Sequence, residues 1–291
     1  MIVLGVNRKL LIGGLLGLVF LWSYAATIRD LVSVWTSVAD YSHGFLVVPA
    51  AILILWFTRD GRPTIDRRFR PEGLFLIVVA AALRWISARY FIDAVDGWSL
   101  VVWITGATWF LCGWPVLRWA LPAIVFLLFM VPLPFRVETA VSLPLQRIAT
   151  SGSSWVLQTL GQPALPEGTT IVLGDVHLEI QQACAGLRMF MGVLALAYVI
   201  ILFSCRNRWE RALLLLASIP AAVLANVLRI TTTALLYQQF ADHSIRQQIH
   251  DYAGLFTIFV GAALLAFAAW YLKRLIRKVE LVDSRSLFQT A

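Results

Sequence analysis

The chain has 291 residues, of which 60% are hydrophobic and 14% charged, with a formal net charge of +8 and a mean hydropathy of +0.79. Soluble domains carry nearly twice that share of charge, so this composition excludes a water-soluble globule and points to a chain lying mostly in lipid. Nor does the basic excess make a nucleic-acid surface, because Lys and Arg gather in short segments between apolar runs.

A transmembrane helix needs about 20 apolar residues, and about 17 suffice. Residues 10–28 carry no charge and follow Arg8 and Lys9, which makes them the first predicted span. A cleavable signal peptide competes for this stretch, but no clear small-residue cleavage site precedes the next span. Further spans are predicted over residues 44–58, 73–91, 97–117 and 119–135; the third contains Arg84 and the fifth ends in Pro132-Leu-Pro134. Residues 136–183 change character. Apolar residues at helical spacing between Val141 and Leu160 predict an amphipathic helix on the membrane surface. Alternation at Thr170 and Val172, and again at Val176, Leu178 and Ile180, predicts two strands joined at Gly174-Asp175. Spans six to eight follow over residues 184–204, 212–233 and 252–272. The expected fold is a single integral membrane domain over residues 1–291. It is an all-α polytopic protein of about eight transmembrane helices, with a short amphipathic helix and a β-hairpin before the sixth.

Orientation follows from the positive charges. With the N-terminus inside, most of the 24 Lys and Arg residues fall in cytoplasmic segments: the N-terminus, the Arg59–Arg70 loop, Arg118, the Arg206–Arg211 loop and the C-terminal tail. The positive-inside rule then puts both termini in the cytoplasm and residues 136–183 on the outer face.

That topology separates the three cysteines, Cys112, Cys184 and Cys205. Only Cys184 reaches the outer side. A small hydrophobe in a helix cap is the ordinary reading of such a residue. Position favours a reactive thiol, since Cys184 stands where a strand leads into a helix N-terminus, and the partial positive charge there favours thiolate. Arg229 lies within the seventh span, and an intramembrane arginine is costly unless paired or facing a wet cavity. Asn226 and Thr233 share its helical face. Snorkelling to the interface competes with an inward orientation. His250 opens the eighth span, with Gly254 one turn on. Three successive antiparallel spans put Cys184, Arg229 and His250 at one depth, where nucleophile, cationic stabiliser and acid/base make a set for acyl transfer. The four histidines, His43, His177, His243 and His250, show no metal-ligand spacing and there is no paired-cysteine motif, so no metal is expected. No glycine-rich phosphate loop or other cofactor signature is present.

At Ala183-Cys-Ala-Gly-Leu-Arg188, at Ala225-Asn-Val-Leu-Arg-Ile230 and at His250 with Gly254, the sequence resembles the exosortase/archaeosortase family of multispanning cysteine transpeptidases. Tyr41-Ser-His-Gly44 and Pro132-Leu-Pro134 look like family features too. The chain departs from the family in having Ala185 after the cysteine and Gln182 shortly before it, where Ser and an acidic residue are common. The resemblance implies a bacterial inner-membrane enzyme, working beside exopolysaccharide production. Its substrates would be exported proteins with a Pro-Glu-Pro-like motif, a transmembrane helix and a basic C-terminal tail. Cys184 would form a thioester, His250 would protonate the leaving amine and Arg229 would stabilise the oxyanion or thiolate. Asn226, Arg188, His43 and Gly254 would support the site or touch substrate, and a polysaccharide or lipid acceptor would resolve the thioester. Small residues Ala217, Ala221 and Ala225 offer a face for the substrate helix. Three other readings stand beside this one: a transporter or flippase for glycan or lipid, a cysteine protease that only hydrolyses the tail, and a structural subunit.

Overall fold

The computed structural model describes residues 2–275 except 39–40, 67, 175, 180–185, 205–206 and 241, with the backbone alone at 2–8, 176–179, 186–189, 243, 250–251 and 255. The α-helices in chain order are α1 (Ile2–Ser37), α2 (Gly44–Phe57), α3 (Pro71–Tyr90), α4 (Asp93–Cys112), α5 (Trp114–Phe126), α6 (Phe135–Thr159), α7 (Gly186–Ser204), α8 (Arg208–Gln239) and α9 (His243–Leu275). A 3-10 turn, Leu127–Met130, extends α5, and three strands lie between α6 and α7: β1 (Ala164–Glu167), β2 (Thr170–Leu173) and β3 (Val176–Glu179).

A helix occupies each of the eight expected segments. Five of them, α1, α3, α4, α8 and α9, are long and apolar enough to cross a membrane, or six if α5 with its 3-10 turn and α6 make one bent span. α2 and the Phe190–Ser204 part of α7 are shorter apolar helices. At about 1.5 Å per residue, the 14 residues of α2 reach only about two thirds of the way across a hydrocarbon core of about 30 Å. Leu11, Leu18, Trp22, Phe75 and Phe259 are exposed on the outside of the bundle, the arrangement that lipid favours and water does not.

The fourth and fifth spans divide at a different place from the one predicted. The expected boundary was at Arg118, taken as a loop residue; the break is at Gly113, whose φ of +86° lies where only glycine sits without strain. Trp114-Pro115 then starts α5, with proline at a position where its missing N–H costs nothing. Arg118 therefore lies inside α5. The carbonyl end of α4 is closed from outside: the Asp66 and Arg70 amides donate to the Cys112 and Phe110 carbonyls. Lys9 Nζ donates to the Leu111 carbonyl (2.6 Å), and its positive charge complements the negative end of the helix.

Arg84 does not interrupt α3. Its guanidinium donates to Ser23 Oγ at 2.9 Å, lies 3.7 Å from Asp96 Oδ1 and covers the Tyr24 ring at 4.6 Å. Thr27 Oγ1 donates to Asp96 Oδ2 at 2.6 Å, and Tyr24 shares a hydrogen bond with Ser99. The helix continues because α1 and α4 supply a polar lining for the charge. α3 and α4 pack closely enough that a Cβ on Gly106 would meet the Gly73 carbonyl at 2.8 Å, the small-residue contact typical of lipid-embedded helix pairs.

Two further packing groups form the rest. α7, α8 and α9 share a core of Val193, Ala197, Leu214, Ala221, Ala222, Leu265 and Ala269. Tyr198 of α7 joins this group to α5 by donating to the Pro122 carbonyl at 2.9 Å. α6, bent by 82° from α5, packs with the sheet on the C-terminal half of α8 around Ala149, Leu157, Ile171, Leu173, Ile230 and Ala234. The sheet is antiparallel in the order β1-β2-β3. Leu173 pairs with Val176, so β2 and β3 form the expected antiparallel hairpin. β1 goes beyond the expected hairpin; its Pro166 hides it from a strand pattern but is tolerated on an edge.

α6 is longer than expected, at 25 residues, and its buried positions mix Ala149 and Leu157 with Gln146, Thr150, Ser153 and Ser154, while its exposed positions mix Ile148 and Trp155 with Arg147 and Gln158.

Replacing Arg84 with Met removes the cation from Asp96. Because the two side chains are 29% and 22% exposed, the loss should fall below the about 3–5 kcal/mol of a fully buried pair broken on one side. Thermal unfolding in detergent should show Arg84→Met clearly destabilised, and the double variant Arg84→Met/Asp96→Asn recovering part of the loss.

Candidate active site

α8 begins at a capping box, with Asn207 and the Glu210 side chain satisfying each other's end of the first turn. From there it runs 32 residues, long enough to carry polar residues far into the bundle. Asn226 and Arg229 are 4% and 5% exposed. Arg229 therefore does not reach outward to an interface; it is enclosed. No carboxylate pairs with it among the described residues, and Arg229 Nε and Asn226 Oδ1 have no hydrogen-bond partner there. The described residues thus line Arg84 closely and leave Arg229 Nε unpaired.

The guanidinium points at α9. Arg229 Nη2 would lie 3.8 Å from a Cβ at Gly254, so the absence of a side chain there leaves the group its space. His250 is one turn before Gly254 on the same helix, and residues four apart share a helical face. α7 and α9 run in the same direction in contact, a Cβ on Gly261 falling 2.9 Å from Val193. Seven residues, about two turns, back from each contact lie Gly186 and Gly254, so the first turn of α7 is level with Gly254. That turn contains Arg188. Cys184 and the imidazole of His250 lie outside the described residues, as does the Arg188 side chain.

His43 stands at the break between α5 and α6. Its Nε2 is 3.1 Å from the Phe129 carbonyl, while Tyr41 donates to Glu138 at 3.1 Å and receives the Leu133 amide at 3.3 Å. Trp35 donates to the Met130 carbonyl and lies against Gly44 so closely that a Cβ there would overlap the indole. Tyr41-Ser-His-Gly44 thus clamps the break between α5 and α6 at Pro132-Leu-Pro134. The expected small-residue face is also used otherwise: Ala221 and Ala225 are buried within the bundle, so they do not offer an open surface to a substrate helix. Among the described residues no three of His, Cys, Asp and Glu gather to hold a metal ion.

Sequence reasoning passed over the polar residues of α6. Ser153 Oγ donates to the Val227 carbonyl at 3.4 Å, two residues before Arg229, and Gly152 is fitted to the Val227 side chain. The signal was there, in a stripe of Gln146, Thr150, Ser153 and Ser154 at helical spacing.

The apolar helices define a multi-pass membrane protein with a cationic centre enclosed near one end of the bundle. Residues 35–268 match the transmembrane exosortase family, and the chain belongs to that family. No curated protein and no solved structure matches it.

Gly254→Ala should fold with stability within about 1 kcal/mol of the parent, since its Cβ meets Arg229 at ordinary contact distance. Gly254→Leu should lose about 1–3 kcal/mol by overpacking against the guanidinium. Thermal unfolding of both variants checks the closeness of the two groups.

Proposed function

We propose that this exosortase cleaves the C-terminal sorting tail of exported proteins through a thioester on Cys184 and passes them to an acceptor outside the cell. The carrying observation is the enclosed Arg229 guanidinium, without a partner among the described residues and set against Gly254, one turn from His250. The start of α7 at the same level adds support, because Cys184 precedes Gly186 by two residues.

In this reading the Cys184 thiolate attacks the scissile carbonyl carbon and the Arg229 guanidinium stabilises the oxyanion that forms. Collapse of the tetrahedral species breaks the C–N bond. His250 gives its proton to the departing amine, which leaves with the anchor helix. The thioester is then attacked by the acceptor, whose proton passes to His250, and the thiolate is regenerated. An amine, hydroxyl or water resolves the same thioester, so transfer and hydrolysis share the residues. Asn226, Arg188 and Gly254 serve as supporting positions, and His43 holds the α5–α6 break. The substrate is an exported protein bearing a Pro-Glu-Pro-like motif, a membrane helix and basic residues, and the acceptor is a polysaccharide or lipid. The positive-inside rule supports an inner-membrane protein with both termini cytoplasmic and the α6–sheet end outward.

A tail-bearing reporter tests this in cells. Cys184→Ala should leave the reporter intact and membrane-held. Arg229→Met should slow processing about 10²- to 10³-fold, as loss of an oxyanion donor does, and His250→Ala about 10²- to 10⁴-fold. Normal release with Cys184→Ala would end the proposal and favour transport. Mass spectrometry of the mature terminus separates a conjugate from a free carboxylate.

A further inference from the structure

α8 and α9 run antiparallel, with residues 240–242 linking them. Arg246 ties the two helices across this link. Its Nη2 donates to the Tyr237 carbonyl at 2.9 Å and its Nε to the Phe240 carbonyl at 2.7 Å, where the end of α8 leaves carbonyls without helical donors. The guanidinium lies 5.4 Å from the centre of the Tyr237 ring, and the Tyr237 hydroxyl returns a hydrogen bond to the Arg246 carbonyl at 3.1 Å. A second tie between the helices is Arg229 Nη2 against Gly254. Eight residues separate Arg229 from Tyr237 on α8, and eight separate Arg246 from Gly254 on α9. Both ties therefore belong to one antiparallel register, about 12 Å apart along the helices. Position 250 is midway on α9 and Thr233 midway on α8, so the backbone sets these two positions opposite each other on the facing sides.

We infer that Arg246 is a positioning residue: by locking the start of α9 to the end of α8, it sets the depth of His250 against Arg229. This rests on the Cys184 reading, in which those two groups serve one tetrahedral species. Arg246 acts at close range, four residues before His250 on the same helix. The apolar packing of α9, at Leu265 and Ala269, lies toward its other end. Among the described side chains of 244–249, Arg246 and Ile249 are half-buried and the others exposed. The first turns of α9 thus have little apolar contact to hold them in register, and polar ties carry that task. The residue type fits it. Two carbonyls three residues apart call for two diverging N–H donors, which a guanidinium holds in a rigid fork and an ammonium does not. Its charge also complements the carbonyl end of α8.

The test uses the full chain in nanodiscs with a tail-bearing reporter, and rates are expressed per folded molecule. Arg246→Gln should lower kcat by up to about 100-fold, the effect of a misplacement of about 1 Å, with KM little changed. Arg246→Lys keeps a cation at the helix end without the fork and should recover part of the rate. Tyr237→Phe loses only the returned hydrogen bond and should slow the reaction less; it carries the same comparison should Arg246→Gln not fold. Register is read without catalysis, in a chain with Cys184→Ala, Cys112→Ser and Cys205→Ser, by joining Thr233→Cys to His250→Cys with a short bifunctional thiol reagent. Cross-linking should be efficient with Arg246 in place and fall severalfold with Arg246→Gln. Unchanged kcat or unchanged cross-linking in that variant would overturn the inference, leaving Arg246 a stabilising contact that shows only in the melting temperature. Processing that survives Cys184→Ala would instead overturn the thioester reading, on which the cross-linking does not depend.

Discussion

In lipid a polar group finds its partner inside the protein or goes without, and this chain does both with arginine. Arg84 is met by Ser23, Asp96 and the Tyr24 ring, brought to it by two other helices. Arg229 is enclosed more completely and has no such lining among the described residues. The first arrangement holds helices together. The second is the kind of setting in which an intramembrane arginine marks a functional site. The positions of α6, α7 and α9 make sense around that second arginine. α9 gives it room at Gly254, α7 begins at its level, and α6 brings Ser153 against the helix that carries it.

The turning of α6 depends on a small set of contacts around its start. Pro132 and Pro134 end the preceding helical run, and Tyr41, His43 and Trp35 seize the carbonyls and amide around the break. The result is a helix laid across the bundle, whose Ser153 meets α8 at Val227 while Trp155 meets the surroundings. A motif just ahead of the second helix therefore fixes where α6 begins.

Much of this was legible in the chain. Long uncharged runs gave the helices, since nothing but burial in lipid explains them, and the Gly174-Asp175 signal gave the β2–β3 turn. Arg229 with Asn226 stood out as a costly pair on one face, and both are enclosed. Other features escaped for physical reasons. The division at Gly113 was masked by equally apolar residues on both sides, and only Gly-Trp-Pro marked it. Pro166 concealed an edge strand. For α6, periodicity revealed a helix but not its packing on α8, because that choice is made by what lies opposite. Ala221 and Ala225 were recognised as a packing face, but the bundle itself fills it.

α1 has a consequence for the order in which the protein is made. Its apolar flank, with Leu11, Leu18 and Trp22, faces away from the bundle, and several of its specific ties reach far along the chain. Tyr24 joins Ser99, Thr27 joins Asp96 and Lys9 joins Leu111, at separations of 75, 69 and 102 residues. During synthesis the first helix enters the bilayer long before these partners emerge from the ribosome. It waits in lipid as an independently stable rod, and the amino-terminal half acquires its final arrangement only after α4 has been inserted.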